Sequence, residues 1–154
     1  SVGYVNDVVK PAINAGKRKG GREDAPVALY APVFAVTGET EAERAESEAE
    51  VRRQISFYGS TPNYRAVLEY HDCGHIAKEL SALVRQGEFD AMAKLVPDSL
   101  VDAIAIAAPV EKLGAALRER YEGVFDRVSL YFPIKDGETD ARWRQFTETF
   151  KAAA

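Results

Sequence analysis

Cysteine is nearly absent from the sequence, which has one, Cys73, in 154 residues. A single cysteine excludes an internal disulfide, and chains without disulfides are typical of reducing compartments. The first residues also lack the basic and apolar blocks of a secretion signal. We therefore expect a cytoplasmic protein.

Long apolar runs and an excess of positive charge are missing as well. The longest nearly uncharged apolar stretch, residues 25–36, contains Pro26 and Pro32 and is shorter than the roughly 20 residues that a helix needs to cross a bilayer. The 20 basic residues are outnumbered by 24 acidic ones, and the net charge of -4 has the wrong sign for a surface that neutralises phosphates. The sequence therefore predicts no membrane span and no nucleic-acid partner.

The composition that remains is that of one globular domain, with 46% apolar and 29% charged residues. A chain of this length can form one hydrophobic core. The sequence opens at Ser1 inside an amphipathic pattern, with valines at helical spacing. We therefore interpret residues 1–154 as a single partial domain and expect it to begin within a longer protein.

The apolar pattern predicts two strands separated by helices. Residues 27–36 form a continuous apolar run, typical of a strand buried on both faces, and Pro32 predicts a bulge or a late start. Residues 127–132 are interpreted as the second strand. Strands separated by helices are expected to be parallel, and two parallel strands alone make a poor sheet. The sequence therefore indicates part of a larger α/β fold.

Helices are predicted for most of the remaining chain. A first helix over residues 1–17 is expected to kink or restart at Pro11, and residues 40–43 form a capping box that opens a long acidic helix. Short helices punctuated by glycines follow, so we expect a helical insert from about 57 to 96 between the two strands, with Met92 in its core.

Three further helices are predicted toward the end of the chain. One begins at Pro97 and continues through Ile106. A second begins at Pro109 and ends before Gly123, with Val110, Leu113, Leu117 and Tyr121 as its buried stripe. The last helix carries an apolar face that must dock on another element. The residues of that face are Trp143, Phe146 and Phe150.

Five segments, taken in their order and spacing, resemble the C-terminal part of a known enzyme family. They are Val8-Val9-Lys10-Pro11-Ala12, Ala31-Pro32-Val33-Phe34-Ala35-Val36-Thr37, Phe57-Tyr58-Gly59-Ser60-Thr61-Pro62-Asn63-Tyr64, Ala107-Ala108-Pro109-Val110-Glu111-Lys112-Leu113, and residues 126–132. The family is that of the luciferase-like monooxygenases, and the pattern resembles the branch that uses a deazaflavin, coenzyme F-420. The resemblance covers the chain nearly end to end.

This resemblance implies a (β/α)8 barrel, of which the chain holds strands seven and eight with their helices. It also implies an oxidoreductase in which hydride passes between the deazaflavin and a small organic substrate. FMN is the alternative cofactor, because other branches of the family use it. We expect the chain alone to be inactive. It should need the N-terminal barrel portion, or associate with itself through unpaired edges at residues 33–36 and 128–132.

The resemblance further implies a site at the C-terminal ends of the strands, where loops after strands seven and eight often hold phosphate. Those loops contain Thr37, Gly38 and Lys135, which we predict to bind the cofactor; a surface lysine in a turn is the alternative for Lys135. Tyr58 and Tyr64 flank a break in the region that resembles the insert above the barrel mouth. We predict that they line a substrate channel, and packing within the insert is the alternative.

The two histidines, His71 and His75, are spaced as zinc ligands on a helix often are. Gly74 weakens the helix that would align them, and no second cluster supplies a fourth ligand. We therefore predict no metal site and assign His71 to substrate binding. No residue is predicted to be catalytic, because neither a carboxylate pair nor a cysteine with a base stands out.

A mostly helical binding or scaffold domain without catalysis is the alternative from another class. It predicts a monodisperse monomer that unfolds in one cooperative transition. The barrel interpretation predicts association with the missing strands or with a second copy.

Overall fold

One central segment, residues 30–36, organises the sheet in the computed structural model, which describes residues 1–131 and 140–152. The strands are β1 (Tyr30–Val33), β2 (Ala35–Val36), β3 (Ile106–Ala107) and β4 (Arg127–Leu130). β1 pairs with β4 and β2 pairs with β3, both in parallel. Phe34 alone separates β1 from β2, so the two form one nearly continuous segment. The carbonyl of Val33 accepts a hydrogen bond from the residue after β4 and the next carbonyl, of Phe34, accepts one from β3, so β4 and β3 lie along opposite edges of this segment. The predicted parallel pairing is confirmed.

Pro32 lies inside β1 without removing a hydrogen bond from either pairing. The Tyr131 N–H donates to the carbonyl of Val33 at 2.8 Å on the β4 side. Alternate residues of a strand direct their backbone groups to opposite edges, so the nitrogen of Pro32 faces the β3 side. Pairing on that side begins beyond it, where the Ile106 N–H donates to the Phe34 carbonyl at 2.9 Å. The bulge or late start expected at Pro32 is wrong, since β1 begins at Tyr30, two residues before the proline, and pairs through it in regular register.

The helix predicted to continue through Ile106 is wrong at its C-terminal end. α-Helical structure stops at Ile104, and Ile106–Ala107 form β3. The side chains of a helix face and of a short buried strand have the same apolar character, and two residues are too few to show a period. The hydrogen bond to the Phe34 carbonyl decides the strand, and that contact is not visible in the local sequence.

The expectation of an unpaired edge at residues 33–36 is also wrong. Strands flank the central segment on both edges, and Val33, Ala35 and Val36 are buried. Residues 128–130 are half-buried and paired with β1, while Phe132 lies outside the described residues.

The N-terminal helical run is interrupted where Pro11 predicts it. The run comprises α1 (Val2–Tyr4), a π-helical stretch (Val5–Val9) and α2 (Lys10–Lys19). Proline has no N–H and its ring crowds the carbonyl four residues earlier, so the turns before it widen. The kink is therefore a π-helical widening within a helical run that continues to Lys19.

The capping box is confirmed at the start of α3 (Glu41–Gly59). The Glu43 N–H donates to Thr40 Oγ1 at 3.2 Å, and the Thr40 N–H donates to the Glu43 carboxylate at 3.4 Å. α3 extends through Phe57 and Tyr58, so the helical insert expected from about residue 57 begins inside its last turn.

Short helices follow and lead back to the sheet. They are a 3-10 turn (Pro62–Tyr64), α4 (Arg65–Tyr70), a second 3-10 turn (Gly74–Ile76), α5 (Ala77–Gln86), α6 (Phe89–Lys94), α7 (Asp98–Ile104), α8 (Val110–Tyr121) and α9 (Asp140–Ala152). In the two stretches that the structure describes, every helix is too short or too polar to cross a membrane.

The buried side chains form two clusters. One lies among α3 to α7 and contains the fully buried Leu80, Met92 and Leu100, which confirms Met92 as a core residue. The other packs the sheet against α8, through Leu113 and Leu117. The helical insert therefore has a core of its own beside the sheet.

The last helix docks on α8, as its apolar face predicts. Phe146 and Phe150 pack against the cluster between the sheet and α8. The two helices approach closely at Gly114, where an added Cβ would lie 2.6 Å from the Phe150 nitrogen and 2.7 Å from the Phe146 oxygen. A glycine at this position is what allows the contact.

Candidate functional site

Four aromatic side chains meet where β1 and β4 end. Tyr58 and Tyr64 have ring centroids 5.2 Å apart and nearly perpendicular planes. Phe34 and Tyr131 form a second edge-to-face pair at 5.2 Å, and Phe34 lies 6.3 Å from Tyr58. We call these four residues the aromatic cluster. Such pairs contribute about 0.5–1.5 kcal/mol beyond the area that they bury.

Two predicted residues of this cluster are thus brought together, and two members were missed. Tyr58 and Tyr64 are in contact, although their role in substrate binding stays a prediction. Phe34 and Tyr131 were assigned to strands and given no function. The strand register is the signal that could have found them. Val33 pairs with Leu130, so Phe34 and Tyr131, which follow these residues in the chain, lie side by side at the ends of β1 and β4.

The cluster contains a hydrogen bond between two phenols. The hydroxyls of Tyr58 and Tyr131 lie 3.0 Å apart. This hydrogen bond, followed by burial, raises the pKa of Tyr58 above its ordinary value of 10.0. The Tyr58 hydroxyl is therefore protonated at neutral pH and can act as a hydrogen-bond donor or acceptor, but not as a base.

The aromatic cluster lies at one end of a sheet face that the helices of the chain leave open. Tyr30 is 62% exposed and its hydroxyl lies 2.7 Å from Ser129 Oγ across the strands, while Tyr131 is 40% exposed. Val33 and Ala35, on the alternate positions, are only 6% and 3% exposed. One face of the sheet is thus packed on α8. The other is open along Tyr30 and Ser129 and is covered by the helical insert at Phe34 and Val36, so the aromatic cluster lies where the open part ends.

In the loop after β2, side chains of α3 accept the N–H groups of three residues, and one hydroxyl is buried without a partner within the described ranges. The N–H groups of Glu39 and Thr40 donate to the Glu43 carboxylate, the first at 2.7 Å. The N–H of Thr37 donates to Ser47 Oγ at 3.1 Å. Thr37 Oγ1 is buried and has no hydrogen-bond partner among the described residues.

Gly38 is explained by packing against α3. A Cβ at this position would lie 2.7 Å from Glu43 Cβ and 2.8 Å from the Arg44 nitrogen. Because a backbone atom is among these neighbours, α3 would have to move to admit a side chain. Cofactor binding by Gly38 stays a prediction, and Lys135, the third predicted cofactor residue, lies outside the described residues.

His71 contacts the N-terminal helical run. Its Nε2 lies 2.8 Å from Ser1 Oγ, and its ring packs on Tyr70 at 5.0 Å. Burial lowers the pKa of His71 below its ordinary value of 6.5. The histidine is thus held against the first turn of the chain, and its assignment to substrate binding stays a prediction.

His71 and His75 do not share a helix face. α4 ends at Tyr70, Asp72 has a positive φ of 58°, and His75 lies in the 3-10 turn that follows. Over residues 1–131 and 140–152 no group of three histidine, cysteine or carboxylate side chains is placed to hold a metal ion. The break expected from Gly74 is confirmed.

A cleft of about 400 Å³ lies at the opposite end of the sheet. Leu29 and Asp126, which precede β1 and β4, form one side of it, and Lys10 and Asn14 of α2 line the other. The Lys10 ammonium donates to the Gly123 carbonyl at 2.9 Å, which ties α2 to the segment before β4. This cleft is separate from the aromatic cluster, because it lies at the N-terminal ends of the strands.

Comparison with known proteins decides the family. The sequence model of the luciferase-like monooxygenases matches residues 7–127. The chain belongs to the luciferase-like monooxygenase family. The matched range includes the central segment of the sheet, α3 and the helical insert, and it ends at the first residue of β4.

Relatives at high identity occur in mycobacteria. Uncharacterized proteins of Mycobacterium bovis and Mycobacterium tuberculosis are 42% identical over 125 residues, which is 81% of this chain. The match covers 37% of each relative's length. No solved structure matches the chain. These relatives add no substrate.

Proposed function

We propose that the chain supplies strands seven and eight of a (β/α)8 barrel in a deazaflavin-dependent oxidoreductase, and that the aromatic cluster forms one wall of the substrate pocket. The observation that carries the proposal is the open face of the sheet. Its row of exposed side chains ends in the aromatic cluster at the C-terminal ends of β1 and β4.

The architecture supports this proposal. Helices cover the face of the sheet that carries Val33 and Ala35, and on the other face they leave open the part that carries Tyr30 and Ser129. In a barrel the open face would turn inward and be covered by the other strands. The relatives are long enough to supply them, since the match covers 37% of their length. Barrel enzymes have their active sites at the C-terminal ends of the strands, which is where the aromatic cluster lies.

The residues of the cluster suit the binding of an organic substrate. The rings of Tyr58 and Tyr64 offer apolar surface with hydroxyl groups at its border. The deazaflavin, when bound, supplies the hydride chemistry of the family. The task of this chain is then to orient the substrate and to keep water from it, and no described side chain is required to carry the redox step.

The loop after β2 fits one part of the cofactor and not another. A phosphate does not fit the tip of the loop after β2, because the Glu43 carboxylate already accepts the N–H groups of Glu39 and Thr40. The unpartnered Thr37 hydroxyl fits a polar edge of the cofactor instead. We retain coenzyme F-420 as the proposed cofactor, with FMN as the alternative, and assign their contact in this loop to Thr37.

The test is cofactor binding by the chain expressed together with the coding sequence that flanks it in its genome. We expect the protein to bind F-420 more tightly than FMN in a fluorescence titration. Thr37→Val keeps the shape of the side chain and should weaken binding several-fold. A folded protein that binds neither cofactor would refute the assignment, and tighter binding of FMN would select the alternative.

A second measurement addresses the scaffold interpretation. Light scattering of the 154-residue chain should show association at high concentration, since the open sheet face needs cover. A clean monomer with one cooperative unfolding transition and no cofactor binding would favour a helical binding domain.

A further inference from the structure

We propose that the hydroxyl pair of Tyr58 and Tyr131 presents one hydrogen-bond donor to a neutral acceptor, a carbonyl oxygen, on a planar and largely apolar substrate. The inference rests on the proposed function for the place of the site, and it goes further by naming the substrate class and the residues that select it.

The first observation is the number of hydroxyl protons in the pair. Two protonated phenols have two hydroxyl protons, and the 3.0 Å contact between Tyr58 and Tyr131 uses one of them. In the described part of the chain neither hydroxyl has another hydrogen-bond partner. One proton is therefore left to donate, and it can reach an acceptor atom of a ligand without breaking the pair.

The rings define the shape of the ligand. Tyr64 and Tyr131 are 44% and 40% exposed, so each offers ring surface that the protein does not cover. Aromatic side chains bind flat apolar bodies by offset stacking or by edge-to-face contact. A planar ring system beside this surface would bring a substituent at its border to the hydroxyl pair.

The charges around the cluster favour a neutral acceptor. The cation that follows Tyr64 in the chain, Arg65, is paired with Glu69 at 2.8 Å. The four side chains of the aromatic cluster are themselves uncharged. A carboxylate placed there would lose its hydration without gaining a cation. A carbonyl oxygen needs one hydrogen-bond donor, and the hydroxyl pair supplies it.

The test uses three naphthalene probes of similar shape on the protein expressed together with its flanking coding sequence. 2-Acetylnaphthalene has a carbonyl acceptor, 2-isopropenylnaphthalene replaces it with a methylene group, and 2-naphthoate is an anion. Dissociation constants from NMR titration should show the ketone binding about three- to tenfold more tightly than the alkene, which corresponds to one neutral hydrogen bond. The naphthoate should bind more weakly than the ketone.

Phenylalanine variants assign the effect to the pair. The double variant Tyr58→Phe with Tyr131→Phe keeps both rings and should reduce the preference for ketone over alkene to about one. Each single variant retains one hydroxyl and should retain part of the preference. Tyr4→Phe, which lies outside the aromatic cluster and packs on Tyr70, is the matched control and should leave the preference unchanged, and chemical denaturation checks that all variants fold.

Three results would overturn the inference. They are equal binding of ketone and alkene by the wild type, a preference that survives in the double variant, and tighter binding of the naphthoate. Absence of binding by all three probes would refute it as well. The cofactor titration with F-420 and FMN is independent of these probes, so a failure here is distinguishable from a failure of the proposed function.

Discussion

Replacing Gly114 by alanine tests whether the contact between α8 and α9 sets the stability of the sheet side of the protein. Helix propensity alone predicts that Gly114→Ala stabilises α8 by about 1 kcal/mol, because glycine is the poorer helix former. The structure predicts the opposite sign. A Cβ at this position would lie 2.6 Å from the Phe150 nitrogen and 2.7 Å from the Phe146 oxygen, both backbone atoms of α9.

The magnitude follows from what must move. Backbone atoms cannot rotate away as a side chain can, so α9 must shift and loosen the packing of Phe146 and Phe150 on the sheet cluster. Overpacking costs about 1–3 kcal/mol, and because the neighbours here are backbone atoms closer than 3 Å we expect the upper part of that range, about 2–3 kcal/mol. After the gain in helix propensity, we expect a net loss of about 1–2 kcal/mol in the free energy of unfolding.

Urea denaturation followed by circular dichroism measures this loss. A net loss of 1–2 kcal/mol corresponds to a midpoint lower by roughly 0.5–1 M when the slope is about 2 kcal/mol per M. Gly16→Ala is the matched control, since Gly16 is exposed in α2 and a Cβ there meets nothing within 4 Å. It should stabilise the protein. If Gly114→Ala is as stable as the wild type or more so, the close helix contact does not exist.

Three further changes probe other parts of the structure. Thr40→Ala removes the cap of α3 and should cost about 1 kcal/mol in a denaturation curve. Met92→Ala empties a fully buried site and should cost about 2–5 kcal/mol; a loss under 1 kcal/mol would contradict the insert core. Burial lowers the pKa of His71 from 6.5, so stability should be full above pH 6.5 and fall as the pH drops through the folded-state pKa. His71→Gln should remove that part of the pH dependence.

The residues that interrupt regular structure were the most informative in the sequence. Pro11 predicted the change of helix geometry, and the Thr40 capping box predicted the start of α3. Each of these effects is local, because it depends on a missing N–H, a fixed φ or a side chain three residues away. Local chemistry of this kind is present in the sequence itself.

The candidate site was predicted in part for the same reason. Tyr58 and Tyr64 are close in the chain, and the break between them brings their rings together. Tyr131 lies 73 positions from Tyr58, so their hydrogen bond depends on the register of β1 and β4. No local pattern marks such a pair.

The sequence by itself determined the two main strands, the acidic helix with its cap, the apolar face of the last helix and the family pattern. The tertiary structure decided that Ile106 belongs to a strand, that Gly38 and Gly114 are sites of close backbone approach, and that Phe34 and Tyr131 complete the aromatic cluster. The physical reason is distance along the chain. Caps, turns and periodicity act over a few residues and can be recognised in the local sequence. Strand pairing and helix contact join residues far apart in the chain, and the sequence around one residue does not indicate its partner.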